Sequence, residues 1–132
     1  PEVVGILNRV KAPYNIGGLT QQTALALLRQ YDLFQNRRTG IILERERLIR
    51  ELRGLGIFRR VYDSEANFIL VITEFCQKLY RYLIACRVVV RLRDIPPLIG
   101  GGIRITVGTR EENDRLLEVL HKYDNVMEVN AL

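Results

Sequence analysis

The sequence predicts an α+β fold: N-terminal helices followed by a β-β-α-β-β-α small domain whose sheet is mainly antiparallel, with helices laid against it. Three observations lead there. Apolar residues recur at helical spacing through about Leu52. After Gly56 the pattern changes to short β-rich runs: Phe68-Ile69-Leu70-Val71-Ile72, Val88-Val89-Val90 and Ile103-Arg104-Ile105-Thr106-Val107. The chain has 132 residues, 48% hydrophobic and 27% charged, which suits one ordinary domain with a real core and excludes a disordered tail.

The elements follow in order. Pro1 to about Lys11 reads as a short helix, entered by Pro and an acid, with Val3, Val4, Leu7 and Val10 on one stripe. Pro13 stops it, and Pro13-Tyr14-Asn15-Ile16-Gly17-Gly18 is a loop. Thr20 is expected to cap a helix carrying Ala24, Leu25, Leu27 and Leu28. A break near Tyr31-Asp32 precedes a long helix through Ile41, Ile42, Leu48, Ile49 and Leu52, which ends at Gly54 and Gly56. Its Glu44, Arg45, Glu46, Arg47, Arg50 and Glu51 have the mixed signs of a solvated face.

In the second half, Ile57 to Tyr62 and Asn67 to Thr73 read as strands around an Asp63-Ser64-Glu65 turn. Phe75 to Ala85 is a helix with Leu79, Tyr80, Leu83 and Ile84 inward, and Arg87 to Arg91 is a third strand. A loop through Pro96-Pro97 and Gly100-Gly101-Gly102 leads to the strand Ile103 to Val107. Thr109 and Glu112 form a capping box for a last helix that buries Leu116, Leu117 and Leu120. These elements divide the chain into 1–31, a connecting helix at 32–56, a small domain at 57–121 and a tail at 122–132.

Composition narrows the function. No apolar run approaches the ~18 uncharged residues of a membrane span, so no membrane partner is expected. Cys76 and Cys86 cannot form a disulfide framework and lack zinc spacing, which with no visible signal peptide suggests a reducing, cytoplasmic setting. The formal charge is +5, and 17 of the 20 basic residues are Arg. Arg enrichment serves anion recognition through the bidentate guanidinium fork, or it reflects a GC-rich genome. The opening Pro1-Glu2-Val3-Val4 carries no initiator Met and reads as the interior of a longer protein.

Catalytic groups are sparse. His121, the only histidine, falls at the expected end of a helix, where a cation suits the dipole. Glu111, Glu112 and Asp114 open that helix, and Gly100-Gly101-Gly102 precedes a strand and so is no phosphate cradle. No catalytic residue, cofactor-binding residue or metal site is expected in this chain. The exceptions are two arginines in apolar strands. Arg91 ends Val88-Val89-Val90, and Arg104 alternates with Ile103 and Ile105, so it points to the other face. Periodicity alone leaves open a merely exposed strand face or a binding site.

The blocks Val88-Val89-Val90-Arg91-Leu92-Arg93-Asp94 and Gly101-Gly102-Ile103-Arg104-Ile105-Thr106-Val107-Gly108-Thr109-Arg110-Glu111-Glu112-Asn113 resemble the C-terminal signature of histidinol-phosphate aminotransferases. Arg91 and Arg104 stand thirteen positions apart, as in that family. Val10-Lys11-Ala12-Pro13-Tyr14-Asn15, Glu44-Arg45-Glu46-Arg47-Leu48 and Asp63-Ser64-Glu65-Ala66-Asn67-Phe68 agree in order, so the resemblance spans about residues 1–121.

The resemblance implies a homodimeric enzyme that uses pyridoxal 5'-phosphate, with a large cofactor domain and a small C-terminal domain. Residues 1–31 match the end of the large domain. Arg104 matches the arginine that grips the substrate α-carboxylate, that of glutamate above all. Arg91 matches one that helps hold the distal phosphate of histidinol phosphate. The family's Schiff-base lysine segment has no counterpart; Lys11 matches a different, downstream lysine. Arg87 stands where the family usually has Gly, and Gly102 where Cys is common. The chain by itself is therefore expected to be inactive. The alternative is a stand-alone α+β ligand-sensing or interaction module without catalysis. A nucleic-acid partner fares worst, because the six Tyr and four Phe do not interleave with Arg on a strand pair.

Overall fold

The computed structural model describes residues 2–10, 16–93 and 101–129. Its elements are α1 (Glu2–Val10), α2 (Gly18–Leu28), α3 (Tyr31–Arg53), β1 (Arg60–Val61), β2 (Phe68–Ile72), α4 (Cys76–Ala85), β3 (Arg91–Arg93), β4 (Gly102–Thr106) and α5 (Arg110–Val129). The chain forms two compact units, residues 1–37 and 38–132. The expected β-β-α-β-β-α order and antiparallel sheet are both present. The strands run β1-β2-β4-β3 and every pair is antiparallel.

In the first unit no residue of α1 or α2 is buried. The α1 stripe lies open, with Val3, Val4 and Leu7 each 60% exposed or more. Helix α2 begins at Gly18 on the extended Gly17, not at Thr20. No side chain caps it; the Gln21 amide instead donates back to the Ile16 carbonyl at 3.0 Å. The expected break falls at Arg29-Gln30, just before α3. Of the expected loop, residues 13–15 lie outside the described residues, as do Pro96-Pro97 and Gly100.

The second unit is built on one core. Leu48 and Leu52 of α3, Ile69 and Val71 of β2, Leu79 and Leu83 of α4, Ile103 and Ile105 of β4, and Leu120 of α5 are all 2% exposed or less. Burying side chains of this size stabilises by about 1.5–3 kcal/mol each, before chain entropy is counted. Strand β2 pairs along its length with β4, Phe68 opposite Thr106 and Ile72 opposite Gly102.

Several expected boundaries move, each for a local reason. Ile57 is not in a strand. Its N–H donates to buried Asp124 at 2.8 Å and Gly56 N–H to the same carboxylate at 3.2 Å, which holds a turn after α3. Ladder pairing starts only at Arg59–Arg60. Ile84 is 40% exposed, and Tyr82 takes its place against the core. After α4, Arg87 adopts φ 61°. Arg87 N–H bonds the Ile84 carbonyl and Val88 N–H the Leu83 carbonyl, the paired bonds of a left-handed helix stop normally filled by Gly. Residues 88–90 leave this stop unpaired, and the ladder begins at Arg91 opposite Arg104.

The mixed-charge face of α3 is also not simply solvated. The side chains of Glu44 and Arg47 are only 15% and 17% exposed. Arg47 bonds Glu44 at 2.7 Å and Asp114 at 2.8 Å. Buried Asn113 donates to Glu44 at 2.9 Å, and Arg110 reaches the same carboxylate at 3.3 Å. Hydrogen bonds from Arg47, then Asn113, hold the Glu44 carboxyl below its ordinary range. The helices α3 and α5 are thus tied by charge-assisted bonds beside the core.

The capping box is as expected. Glu112 N–H donates to Thr109 Oγ1 at 3.3 Å, and Thr109 N–H to Glu112 Oε2 at 2.8 Å. A Cβ at Gly108 would lie 2.5 Å from that carboxylate and 3.0 Å from Glu112 Cβ, so the box needs Gly there. Leu116, Leu117 and Leu120 are buried as expected, and α5 continues past them to Val129, burying Tyr123 as well.

Candidate functional site

The sheet has two unlike faces. Ile69, Val71, Ile103 and Ile105 fill the core side. Alternation sends Phe68, Leu70, Arg104 and Thr106 to the other side, and the pairing register fixes their neighbours. Leu70, Arg104 and Arg91 form one cross-strand row; Ile72, Gly102 and Arg93 form the next, with Arg60 opposite Ile72. The two arginines read from the sequence are therefore direct register partners on one face. Side chains so placed have Cβ atoms about 4.5–5.5 Å apart.

Arg104 is the best defined of them. It is half-buried, its Cζ lies 5.1 Å from the centre of the Phe68 ring, and its Nε is buried with no hydrogen-bond partner among the described residues. A shallow depression of about 300 Å³ opens beside it, lined by Phe68, Leu70, Arg93 and Arg104. Arg91 is exposed and does not line it. Arg93 was not singled out from the sequence, although the alternation Arg91-Leu92-Arg93 was signal enough. At the sheet edge Arg60 covers the Tyr62 ring at 4.4 Å.

Electrostatically the face is one-sided. No strand residue on it is acidic, and Arg91 stands opposite Arg104, a like-charge pairing that costs stability in a sheet. Such a face suits an anion. The guanidinium fork holds a carboxylate or a phosphate with two parallel bonds. A larger depression of about 580 Å³, near Arg87 and the start of α5, carries Glu111 and Glu112 and suits an anion poorly.

Other chemistry has no counterpart here. Among the described residues no cluster of His, Cys, Asp or Glu could hold a metal. Cys76 and Cys86 are free, and burial raises the Cys76 thiol, which makes it a poor nucleophile. His121 is exposed and lies mid-helix, not in a last turn, because α5 runs on to Val129. The described lysines lie on helices and not on the strands of the arginine face: Lys122 Nζ donates to Glu118 at 2.6 Å on α5 and Lys78 lies exposed on α4, while Lys11 is outside the described residues. The described strand face thus offers no lysine to a carbonyl group and offers arginines to an anion. No described helix is long and apolar enough to cross a membrane.

The second unit is thus a small antiparallel sheet with the core on one side and arginines on the other, a frame that sequence and structure comparisons place in a family. The model of the family "Aminotransferase class I and II" matches residues 1–120. The chain belongs to this family. It is 43% identical over 122 residues to histidinol-phosphate aminotransferase of Cytophaga hutchinsonii, covering 92% of this chain and 35% of that protein. Its identity to the enzyme of that name from Flavobacterium psychrophilum is 41% over 119 residues, 89% of this chain and 34% of the relative. The chain thus spans about a third of the length of the curated relatives it matches. Among solved structures, histidinol-phosphate aminotransferase from Clostridium acetobutylicum superposes with a TM-score of 0.75 at 26% identity, over 94% of this chain and 38% of that one. A putative aminotransferase from Burkholderia pseudomallei gives 0.72 at 32% identity, over 93% and 37%.

Proposed function

We propose that this chain serves as the C-terminal part of a histidinol-phosphate aminotransferase, which moves an amino group between glutamate and the phosphate-bearing imidazole substrate of histidine biosynthesis. The observation that carries the reading is Arg104: a half-buried guanidinium on a face whose described strand residues carry no carboxylate, its Nε without an acceptor among the described residues. In this reading Arg104 grips the α-carboxylate of glutamate, and Arg91 helps to hold the distal phosphate of histidinol phosphate. Fixing an anionic end in two parallel bonds sets the orientation of the reacting carbon. An arginine fork suits carboxylate and phosphate alike, so one face can serve two substrates in turn.

The division of labour follows from what the chain lacks. Pyridoxal phosphate supplies the electron sink in this family, and its lysine would come from sequence outside these residues. Residues 1–31 would close the large domain, 32–56 connect, 57–121 form the substrate-facing domain and 122–132 trail it. The exposed apolar stripe of α1 supports docking on such a domain. The complete enzyme would be a cytoplasmic homodimer, and this chain alone would be inactive.

The test is a chimera in which this chain replaces the matching third of the Cytophaga hutchinsonii enzyme. Glutamate-dependent transamination by the chimera, and none by the chain alone, is the expected result. A folded, cofactor-bearing chimera without activity would overturn the reading.

A further inference from the structure

We infer that Phe68 is a positioning residue for Arg104: its ring holds the guanidinium in place without cancelling its charge or taking up its N–H donors. The inference rests on the substrate-face reading above and deepens it. Arg104 stands on an interior strand, opposite Leu70 of β2 and opposite Arg91 of β3. Its long side chain is found over the ring of Phe68, with Cζ 5.1 Å from the ring centre. Phe68 stands opposite Thr106 and so lies diagonal to Arg104. Diagonal neighbours on one sheet face are about 7–8 Å apart, within reach of an aromatic ring and a long side chain. Both residues line the same depression.

The chemistry of the ring explains why Phe suits this position. Among the described residues no ion pair engages Arg104, and its Nε has no acceptor. A carboxylate partner would also fix the guanidinium, yet it would occupy the fork and neutralise it. A ring face attracts the cation through its quadrupole and brings no negative charge onto a face that takes an anion. The ring sits on anchored backbone. Phe68 begins β2 and pairs with Thr106, the Asn67 carbonyl accepts from Val107 N–H at 2.9 Å, and Arg45 of α3 donates to the Ala66 carbonyl at 3.2 Å. Three successive residues are thus tied to β4 or to α3, and a guanidinium held on the ring shares that fixed position. Confining a flexible arginine beforehand reduces the freedom lost when substrate binds and sharpens its orientation.

The experiment is a double-mutant cycle in the chimera described above, read as kcat/KM with glutamate as donor. Phe68→Leu keeps an apolar side chain and should lower kcat/KM about fivefold to tenfold, the size of a partly desolvated cation–π contact. Phe68→Tyr keeps the ring and should recover most of that loss. In an Arg104→Gln background, where no cation remains, Phe68→Leu should change the residual rate less than about twofold, whereas a merely structural role would cost the same in both backgrounds. An equal loss in both backgrounds, or a Phe68→Tyr variant as damaged as Phe68→Leu, would overturn the role of Phe68 and leave the substrate face standing. Full activity in Arg104→Gln would overturn the substrate face and, with it, the role of Phe68. NMR of the 132-residue chain gives a readout that needs no activity. Phe68→Leu should move the Arg104 Nε–Hε proton downfield as the shielding of the ring is lost, and an unmoved signal would overturn the contact.

Discussion

Replacing Asn113 by Ala should be among the most damaging single changes in the small domain. The Asn113 side chain is 2% exposed and makes three bonds. Its amide N donates to Glu44 at 2.9 Å and to the Gly108 carbonyl at 3.1 Å, while its oxygen accepts from Gly108 N–H at 3.0 Å. A bond to a charged partner contributes about 1.5–3 kcal/mol and neutral ones about 0.5–1.5 each, so a loss of about 3 kcal/mol is expected after partial solvent relief. A typical small-domain urea slope of about 1.5 kcal/mol/M turns this into a midpoint shift of about 2 M. The same substitution at exposed Asn125 on α5 is the control and should stay within about 0.5 kcal/mol. Asn113→Asp should be at least as harmful near neutral pH, because it faces the Glu44 carboxylate with another, and should recover in part on acidification. A loss below about 1 kcal/mol for Asn113→Ala would refute the idea that this network fastens α5 to α3.

Further outcomes follow from particular residues. The Glu44 carboxyl is held low by Arg47 and then Asn113, so its stabilisation is present above the unfolded-state pKa of about 4.3 and is lost as pH falls through the lower folded value. Urea midpoints between about pH 5 and 3 should therefore fall less steeply in Glu44→Gln than in the parent chain. Arg87→Gly should raise stability by up to about 1 kcal/mol, because φ 61° strains any side-chain-bearing residue; a lower midpoint would show that the Arg87 side chain matters more. The chain alone should self-associate through the open stripe of α1, where Val3, Val4 and Leu7 are exposed. Light scattering that shows a clean monomer at high concentration would contradict this.

What the sequence could reveal depended on how local the cause was. The helix-to-strand change after Gly56, the Thr109–Glu112 box and the outward alternation of Arg104 need only neighbours within a few residues, and all three are present. Two of the missed features are long-range. Asp124 holds the turn at Ile57 from 67 residues away, and Glu44 meets Asn113 from 69. No helical periodicity announces such bonds. The same holds for the site: that Arg91 and Arg104 share a face was readable only once the β3–β4 register was known.

The substrate face is tested most directly by steady-state kinetics of the chimera carrying Arg104→Lys, with glutamate as donor. Lysine keeps the charge but offers no planar fork, so a charge-assisted bond and the orientation it enforces are lost. That is about 1.5–3 kcal/mol, a fall of about tenfold to more than a hundredfold in kcat/KM. Arg81→Lys, on the exposed side of α4, should stay within about 0.5 kcal/mol. Equal, small effects at the two positions would contradict the account, because Arg104 would then be a surface strand residue and the arginine face would not be where substrate binds.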